Sequence, residues 1–226
     1  MEENIRFETL KEHEYKEVLE FMIEHFLPDE PSFNGMGCEV DDFCKNYMVE
    51  RLKTVLTSHL SFKAIDIRTS QVLGMKLCYK HDIQGKGGHP PYQIEGVPEN
   101  AVANAKKLAQ FVRFYNDIFK VQDYRDKIIA NDDCILKSMT LCTSKNSRGR
   151  GVGTRLVKEM INRAADQNFK CIGVTVSSAF SRKIYKKLGF EILHEEMYKD
   201  FEMDGERIFV NDTGIHKGAA FCVKNL

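Results

Sequence analysis

The chain has 226 residues, a mass of 26.0 kDa, and 33 Lys+Arg set against 33 Asp+Glu, with a sequence pI ≈ 7.0. That balance argues against general nucleic-acid binding, which needs a basic surface to neutralise phosphates. Hydrophobic residues at 42% and aromatics at 10% supply a sizeable core, which argues against a disordered or fibrous chain. No apolar run approaches the ~20 residues that span a bilayer. The acidic start Met1-Glu2-Glu3-Asn4 lacks the basic-then-apolar order of a signal peptide. The expectation is a soluble cytoplasmic protein without a membrane partner. With no internal repeat, low-complexity tract or Pro/Ser-rich linker, residues 1–226 are read as a single domain.

In chain order, residues 4–8 alternate and predict a strand. Residues 11–26 place Tyr15, Val18, Leu19, Met22, Ile23 and Phe26 at helical spacing, and Pro28 ends that helix. A loop, Pro28-Asp29-Glu30-Pro31, follows. Residues 39–60 predict a second helix with Phe43, Tyr47, Met48 and Leu52 as its stripe. Residues 61–67 and 71–79 read as strands joined by the polar turn Arg68-Thr69-Ser70. Residues 81–91, rich in Gly and Pro, predict a loop. Residues 100–119 predict a long helical insertion whose packing candidates are Val102, Leu108, Phe111, Val112, Tyr115 and Ile118.

Residues 134–143 predict an apolar strand. A helix over 154–165 carries Leu156, Val157, Met160, Ile161 and Ala164 on one face. A strand at 170–177, a short helix at 181–188 stopped by Gly189, and strands at 190–198 and 219–224 complete the chain. Strands alternating with helices predict a mixed α/β sheet.

Seven cysteines, at 38, 44, 78, 134, 142, 171 and 222, form no Cys-x-x-Cys and no even framework. They read as buried structural thiols rather than disulfide or zinc ligands. The seven histidines, at 13, 25, 59, 81, 89, 194 and 216, lack ligand spacing, so each reads as surface or core and no metal is expected.

The chemistry concentrates in one segment. After the strand ending Leu141-Cys142-Thr143 comes Arg148-Gly149-Arg150-Gly151-Val152-Gly153-Thr154, then a helix. Glycines let the backbone approach a ligand closely. At a helix start, unpaired N–H groups and the positive dipole end converge into an anion site suited to a pyrophosphate. Arg148 and Arg150 add charge. The spacing is not that of a P-loop, and it lacks the third glycine of a dinucleotide fingerprint.

Arg148-Gly149-Arg150-Gly151-Val152-Gly153 resembles the Arg/Gln-x-x-Gly-x-Gly/Ala signature of the GCN5-related N-acetyltransferase (GNAT) superfamily. Tyr185-Lys186-Lys187-Leu188-Gly189-Phe190 resembles its Tyr-x-x-Leu-Gly-Phe ending, in the right order and at about the right distance. A closer resemblance, over essentially the whole chain, is to the insect arylalkylamine N-acetyltransferases, including the dopamine enzymes. Phe26-Leu27-Pro28-Asp29-Glu30-Pro31 looks like that family's Pro-x-Glu-Pro loop. Ser177-Ser178-Ala179-Phe180-Ser181 looks like its serine turn, and the ending with Phe221-Cys222-Val223-Lys224 looks like its last strand. The insertion at 100–130 fits more loosely. The paired histidines of the vertebrate arylalkylamine enzymes have no counterpart here.

The resemblance implies a GNAT fold with splayed central strands flanked by helices, a helical insertion about 100–130, and direct acetyl transfer from acetyl-CoA, as cosubstrate, to an amine. It implies that Leu141, Cys142 and Thr143 pair with pantetheine, and that Arg148, Gly149, Arg150, Gly151, Val152, Gly153 and Thr154 hold the pyrophosphate. It implies Glu30 as general base, Ser177 and Ser181 as aids to proton movement or to the leaving thiolate, and Tyr185 as the superfamily's general acid. Phe26, Pro31, Phe33, Phe43 and Tyr47 are the candidates to line an apolar acceptor pocket. The expected partners are a small amine, first of all an arylalkylamine, and acetyl-CoA. Polyamines, protein lysine and a non-catalytic CoA-binding role stay open, as does the oligomeric state.

Overall fold

The computed structural model describes residues 4–83, 103–119, 121–128 and 134–226. Its elements in chain order are β1 (Ile5–Thr9), α1 (Tyr15–His25), α2 (Pro31–Gly35), α3 (Asp42–Leu56), β2 (Phe62–Asp66), β3 (Val72–Asp82) and α4 (Ala103–Ile118). After them come β4 (Cys134–Thr143), α5 (Val152–Asp166), β5 (Cys171–Val176), α6 (Ala179–Lys187), β6 (Glu191–Met197), the short strands β7 (Glu202–Met203) and β8 (Glu206–Arg207), and β9 (Gly218–Asn225).

Local chemistry explains where these elements depart from the periodicity. The second helix is shorter than residues 39–60: the Asp41 carboxylate caps it by accepting from Cys44 N at 2.8 Å. Beyond its other end His59 turns left-handed at φ 54°. The short helix α6 starts two residues before 181, because Ser178 caps it through Phe180 N at 3.2 Å. The glutamate–proline loop is not plain loop. Residues Leu27–Asp29 form a 3-10 turn, and Pro31 opens α2 with Glu30 as its N-cap, where a fixed φ and a missing N–H are an advantage. The strand predicted to end at residue 79 runs on to Asp82; of the loop predicted at 81–91, residues 84–91 lie outside the described residues, as do Val102 and His89.

Among the described residues, seven strands form one sheet in the order β1-β2-β3-β4-β5-β9-β6. Every neighbouring pair is antiparallel except β4 and β5, which the α5 crossover makes parallel. The β3–β4 register slips between Leu77↔Thr140 and Cys78↔Ser138, so Met139 is an extra, bulged residue. Parallel pairing of β4 with β5 covers only Leu136–Ser138 against Ile172–Val174. Beyond Ser138 the two strands part, β4 staying with β3 and β5 with β9, and a fork opens at the centre of the sheet.

Apolar clusters cover both faces. One joins α1, α3 and α4 to the sheet through Val18, Leu52, Leu77, Leu108 and Phe114. The other seats α5 and α6 through Leu156, Val157, Met160, Ile172 and Tyr185. Within the helical insertion, Phe114 meets Tyr198, Phe201 and Phe209 at ring distances of 4.9–6.0 Å, which ties α4 to the segment after β6. The seven cysteines are free, and all but Cys134 are buried. Burial pushes the thiols of Cys38, Cys142, Cys171 and Cys222 up to about 12, far from reactive thiolates. No helix among the described residues is long and apolar enough to cross a membrane.

Candidate active site

A cleft of about 900 Å³ occupies the fork. The start of α5 and the loop carrying Glu30 both line it. Strand β4 past Ser138, the end of β5 and one face of α6 line it as well.

Glu30 is 3% exposed. Its Oε1 accepts from Ser32 Oγ at 2.6 Å, Ser32 N at 3.3 Å and Tyr115 Oη at 3.0 Å, and its Oε2 accepts from Ser177 Oγ at 3.1 Å. The carboxylate is thus tied to α2, to α4 and to the end of β5. Burial, then the Glu30 charge, pushes the Tyr115 phenol well above its ordinary range, so it stays a neutral donor. Tyr198 is shifted the same way by the same two causes, and its hydroxyl donates to Ser177 O at 2.8 Å, which braces the turn that carries Ser177.

The structure therefore joins Ser177 to Glu30 and leaves Ser181 apart. Ser181 faces the cleft, but its hydroxyl donates to Ser178 O at 3.0 Å within the first turn of α6. Tyr185, one helical turn further on, also lines the cleft. It is 2% exposed, packs edge-on against Phe190 at 4.9 Å, and places its hydroxyl 2.9 Å from Ser138 Oγ at the fork.

Elsewhere in the lining, Gly149 and Gly151 take φ of 75° and 80°, and a Cβ on either would meet nothing within 4 Å. The left-handed backbone requires glycine here, not crowding. Helix α5 begins at Val152 with no side-chain cap, which leaves the first-turn N–H groups without helical partners where Gly151, Val152, Gly153 and Thr154 line the cleft. Leu141, Cys142 and Thr143 line it from β4, which among the described residues has no strand partner there on the β5 side. A free strand edge beside an open helix start fits an extended chain ending in a pyrophosphate.

The two arginines separate. Arg148 lines the cleft, with Nη1 2.7 Å from Asp29 Oδ2 and Nη2 donating to His25 O at 2.8 Å. Arg150 does not line the cleft; its charge instead helps hold the Asp66 carboxyl low, behind the backbone donors of Arg68 and Thr69.

The aromatic candidates divide as well. Phe26 and Pro31 line the cleft. Phe33 and Tyr47 line a second cavity of about 90 Å³, which meets the first at Phe26, Tyr115 and Met139. Phe43 is a correction: it is 37% exposed and lines neither cavity, because its position on α3 turns it toward solvent. Reading every histidine as surface or core also needs correcting, since His25 and His216 line the cleft. His216 Nδ1 accepts from Ala179 N at 3.0 Å. Burial lowers its ring below the usual histidine range, against the opposing charges of Glu30 and Asp29. Its neutral ring then carries hydrogen on Nε2. Among the described residues, no group of three or more His, Cys, Asp or Glu is disposed to hold a metal.

Residues 115–199, from the end of α4 to just beyond β6, match the model of the family described as FR47-like protein. Over nearly the whole chain the fold is that of solved N-acetyltransferases. This is the GNAT fold. Arylalkylamine N-acetyltransferase 2 from Aedes aegypti superposes with a TM-score of 0.76 at 22% identity, covering 98% of this chain and 99% of that one. A polyamine N-acetyltransferase from Drosophila melanogaster that forms N-acetylagmatine superposes with a TM-score of 0.76 at 17% identity, covering 98% and 100%. The C-terminal condensation domain of Ebony, solved with β-alanyl-dopamine, gives 0.75 at 16%, covering 99% and 100%. The mixed sheet, flanking helices and helical insertion of the GNAT fold are all present here.

Proposed function

We propose that this protein, acting as one GNAT domain over residues 1–226, transfers an acetyl group from acetyl-CoA to the primary amine of a small arylalkylamine. The observation that carries this reading is the cleft itself. A buried, four-fold hydrogen-bonded carboxylate and an open, glycine-bordered helix start line the same cleft at the fork in the sheet. Together they answer two demands of the reaction, a place to put the amine proton and a place to hold an anionic cofactor tail.

Acetyl-CoA supplies the acetyl group activated as a thioester. The backbone of Leu141, Cys142 and Thr143 pairs with pantetheine, and the first-turn N–H groups of α5 with Arg148 hold the pyrophosphate. Arg150, outside the cleft lining, adds to the positive field around the turn. Glu30 takes the amine proton through Ser177, whose hydroxyl already donates to Oε2. Tyr185 gives a proton to the departing sulfur. Ser181 keeps its hydroxyl on Ser178 O and shapes the wall.

The second cavity supports the arylalkylamine over the polyamine reading. Its lining includes Phe26, Phe33, Tyr47, Phe111 and Met139, and the one charged side chain among its described lining residues is Arg51. An aryl ring suits such walls. The distal cation of a polyamine would meet a guanidinium there instead of a carboxylate.

Thiol release from acetyl-CoA over a panel of tryptamine, serotonin, dopamine, octopamine, agmatine, spermidine and a lysine-bearing peptide tests the reading. Release with the arylalkylamines is the expected result. Release confined to agmatine and spermidine, or to the peptide, would overturn the acceptor class. Bound CoA with no release on any amine would favour a non-catalytic CoA-binding protein.

A further inference from the structure

Lys76 on β3 is fully buried, at 0% exposure. Its Nζ donates to Ser138 Oγ at 2.6 Å and to Thr140 O at 2.9 Å. Among the described residues no carboxylate lies within ion-pair distance of it, and it makes no other polar contact. Burying an ammonium without a counter-ion is costly, and a methionine would fill such a site without that cost. The two groups that Lys76 touches flank the bulged Met139, and Ser138 is the last residue of β4 paired with β5 before the fork opens.

Donor chemistry fixes the first of the two hydrogen bonds at Ser138. A lysine ammonium can only donate, whereas a serine hydroxyl has one hydrogen to give. Among the described residues the partners of Ser138 Oγ are Lys76 Nζ and Tyr185 Oη, and since Ser138 and Tyr185 both line the cleft, the bond between their hydroxyls can run either way. The hydroxyl of Tyr185 has no other polar partner among the described residues, and Tyr185 lines the cleft. With Ser138 as the donor, the hydrogen of Tyr185 is left to point into the cleft. We propose that Lys76 and Ser138 are positioning residues forming a one-way donor chain, Lys76 to Ser138 to Tyr185, which fixes Tyr185 as the proton donor to the leaving thiolate.

This inference rests on the acetyl-transfer reading above. In that reaction the amine nitrogen bonds to the acetyl carbon, the C–S bond breaks, and its electron pair leaves with sulfur. Tyr185 gives its proton to that sulfur, and the amine proton goes to Glu30 through Ser177. The Ser138 hydrogen bond, backed by the Lys76 charge, stabilises the phenolate that remains. Both groups regain their starting states by exchange with water after the products leave.

The alternative is a clamp, in which Lys76 merely secures the bulge through Thr140 O. Ser138→Ala separates the two, because it breaks the chain and keeps the Lys76–Thr140 bond. Steady-state kinetics of Ser138→Ala, Lys76→Met, Tyr185→Phe and the Ser138→Ala/Tyr185→Phe double variant would be compared with the parent. A donor chain predicts kcat lowered about tenfold or more in Ser138→Ala with both KM values within about twofold, and a double variant no slower than Tyr185→Phe. If Ser138→Ala keeps kcat within about twofold while Tyr185→Phe loses it, the chain is overturned and acetyl transfer stands. If Tyr185→Phe keeps full kcat, Tyr185 is not the acid and the proposal falls with that assignment. Should Lys76→Met not fold, Ser138→Ala decides alone.

Binding of CoA against desulfo-CoA gives a readout that needs no turnover. Ser138→Ala is expected to lose the parent's preference for the thiol-bearing ligand, and an unchanged preference would overturn the chain even if no amine on the panel is acetylated.

Discussion

Glu30 gathers four hydrogen bonds of the site on one side chain. Its four donors come from three separate parts of the chain, so the carboxylate is fixed before any ligand arrives. Glu30→Gln is expected to lower kcat/KM for the amine about a hundredfold, within the range for loss of general-base assistance, and to leave the affinity for acetyl-CoA nearly unchanged. Full kcat/KM at neutral pH would remove Glu30 from the base role. Lys137 makes a second residue-level prediction. It is 2% exposed, with Nζ 3.3 Å from Thr175 Oγ1 and 3.0 Å from the centre of the Phe119 ring. Burial, then the charges of Arg51 and Lys76, hold its amine well below the ordinary value of 10.5. The folded state therefore binds fewer protons than the unfolded one below that value, so the penalty is present at neutral pH and fades as pH rises toward the ordinary lysine range. Lys137→Met should raise stability at pH 7 by ~1 kcal/mol or more, about 2–4 °C in Tm, with the gap over the parent narrowing at alkaline pH. Thermal scans at several pH values would show it, and a variant that melts lower at pH 7 would contradict the account.

At the scale of elements, the junction of β4, its glycine turn and α5 does most to make the cofactor wall. Gly151 is the N-cap of α5 and sits at φ 80°. Alanine has room there, because no atom lies within 4 Å of its Cβ, yet the left-handed backbone costs an L-residue about 1–2 kcal/mol. Gly151→Ala should weaken acetyl-CoA binding about 5- to 30-fold by displacing the first-turn N–H groups, with much less effect on the KM of the amine. Calorimetric titration of CoA would test this, and unchanged affinity would show that the turn does not set the anion site. The strand, the turn and the helix were legible in the sequence, because glycine spacing and 3.6-residue periodicity are local properties. Besides the two-residue strands β7 and β8, the sequence reading missed α2. Five residues opening with proline carry too little periodicity to register, and only the Glu30 cap makes them a helix.

For the whole molecule, the fork is the distinguishing feature. The β4–β5 junction is held by parallel pairing over only three residues on each strand, and the cleft lies directly beyond it. A ligand filling that gap binds the folded state alone and so stabilises it by mass action. CoA at about 100 times its Kd should add about 2.7 kcal/mol, which for a chain of this size corresponds to a rise in Tm of about 5–11 °C. Absence of any shift at saturating CoA would count against the cofactor assignment. The helical insertion belongs to this scale too. Tyr115 reads from the sequence as one more packing residue, yet α4 brings it across 85 positions of chain to 3.0 Å from Glu30.

What the sequence determined by itself is what short-range chemistry can encode: the alternation of strands and helices, the glycine turn, the buried thiols, and Glu30 in a proline-braced loop. Those features depend on neighbours within a few positions. The tertiary structure alone decided which groups meet. It chose Ser177 over Ser181 as the partner of Glu30, turned Phe43 to solvent, left Arg150 out of the cleft lining, brought Tyr115 and His216 to the cleft, and set Lys76 and Tyr185 on the same Ser138 hydroxyl. The physical reason is that periodicity tells which side of its own element a residue occupies. What stands opposite that side depends on strand order and register, and here on where β4 parts from β5.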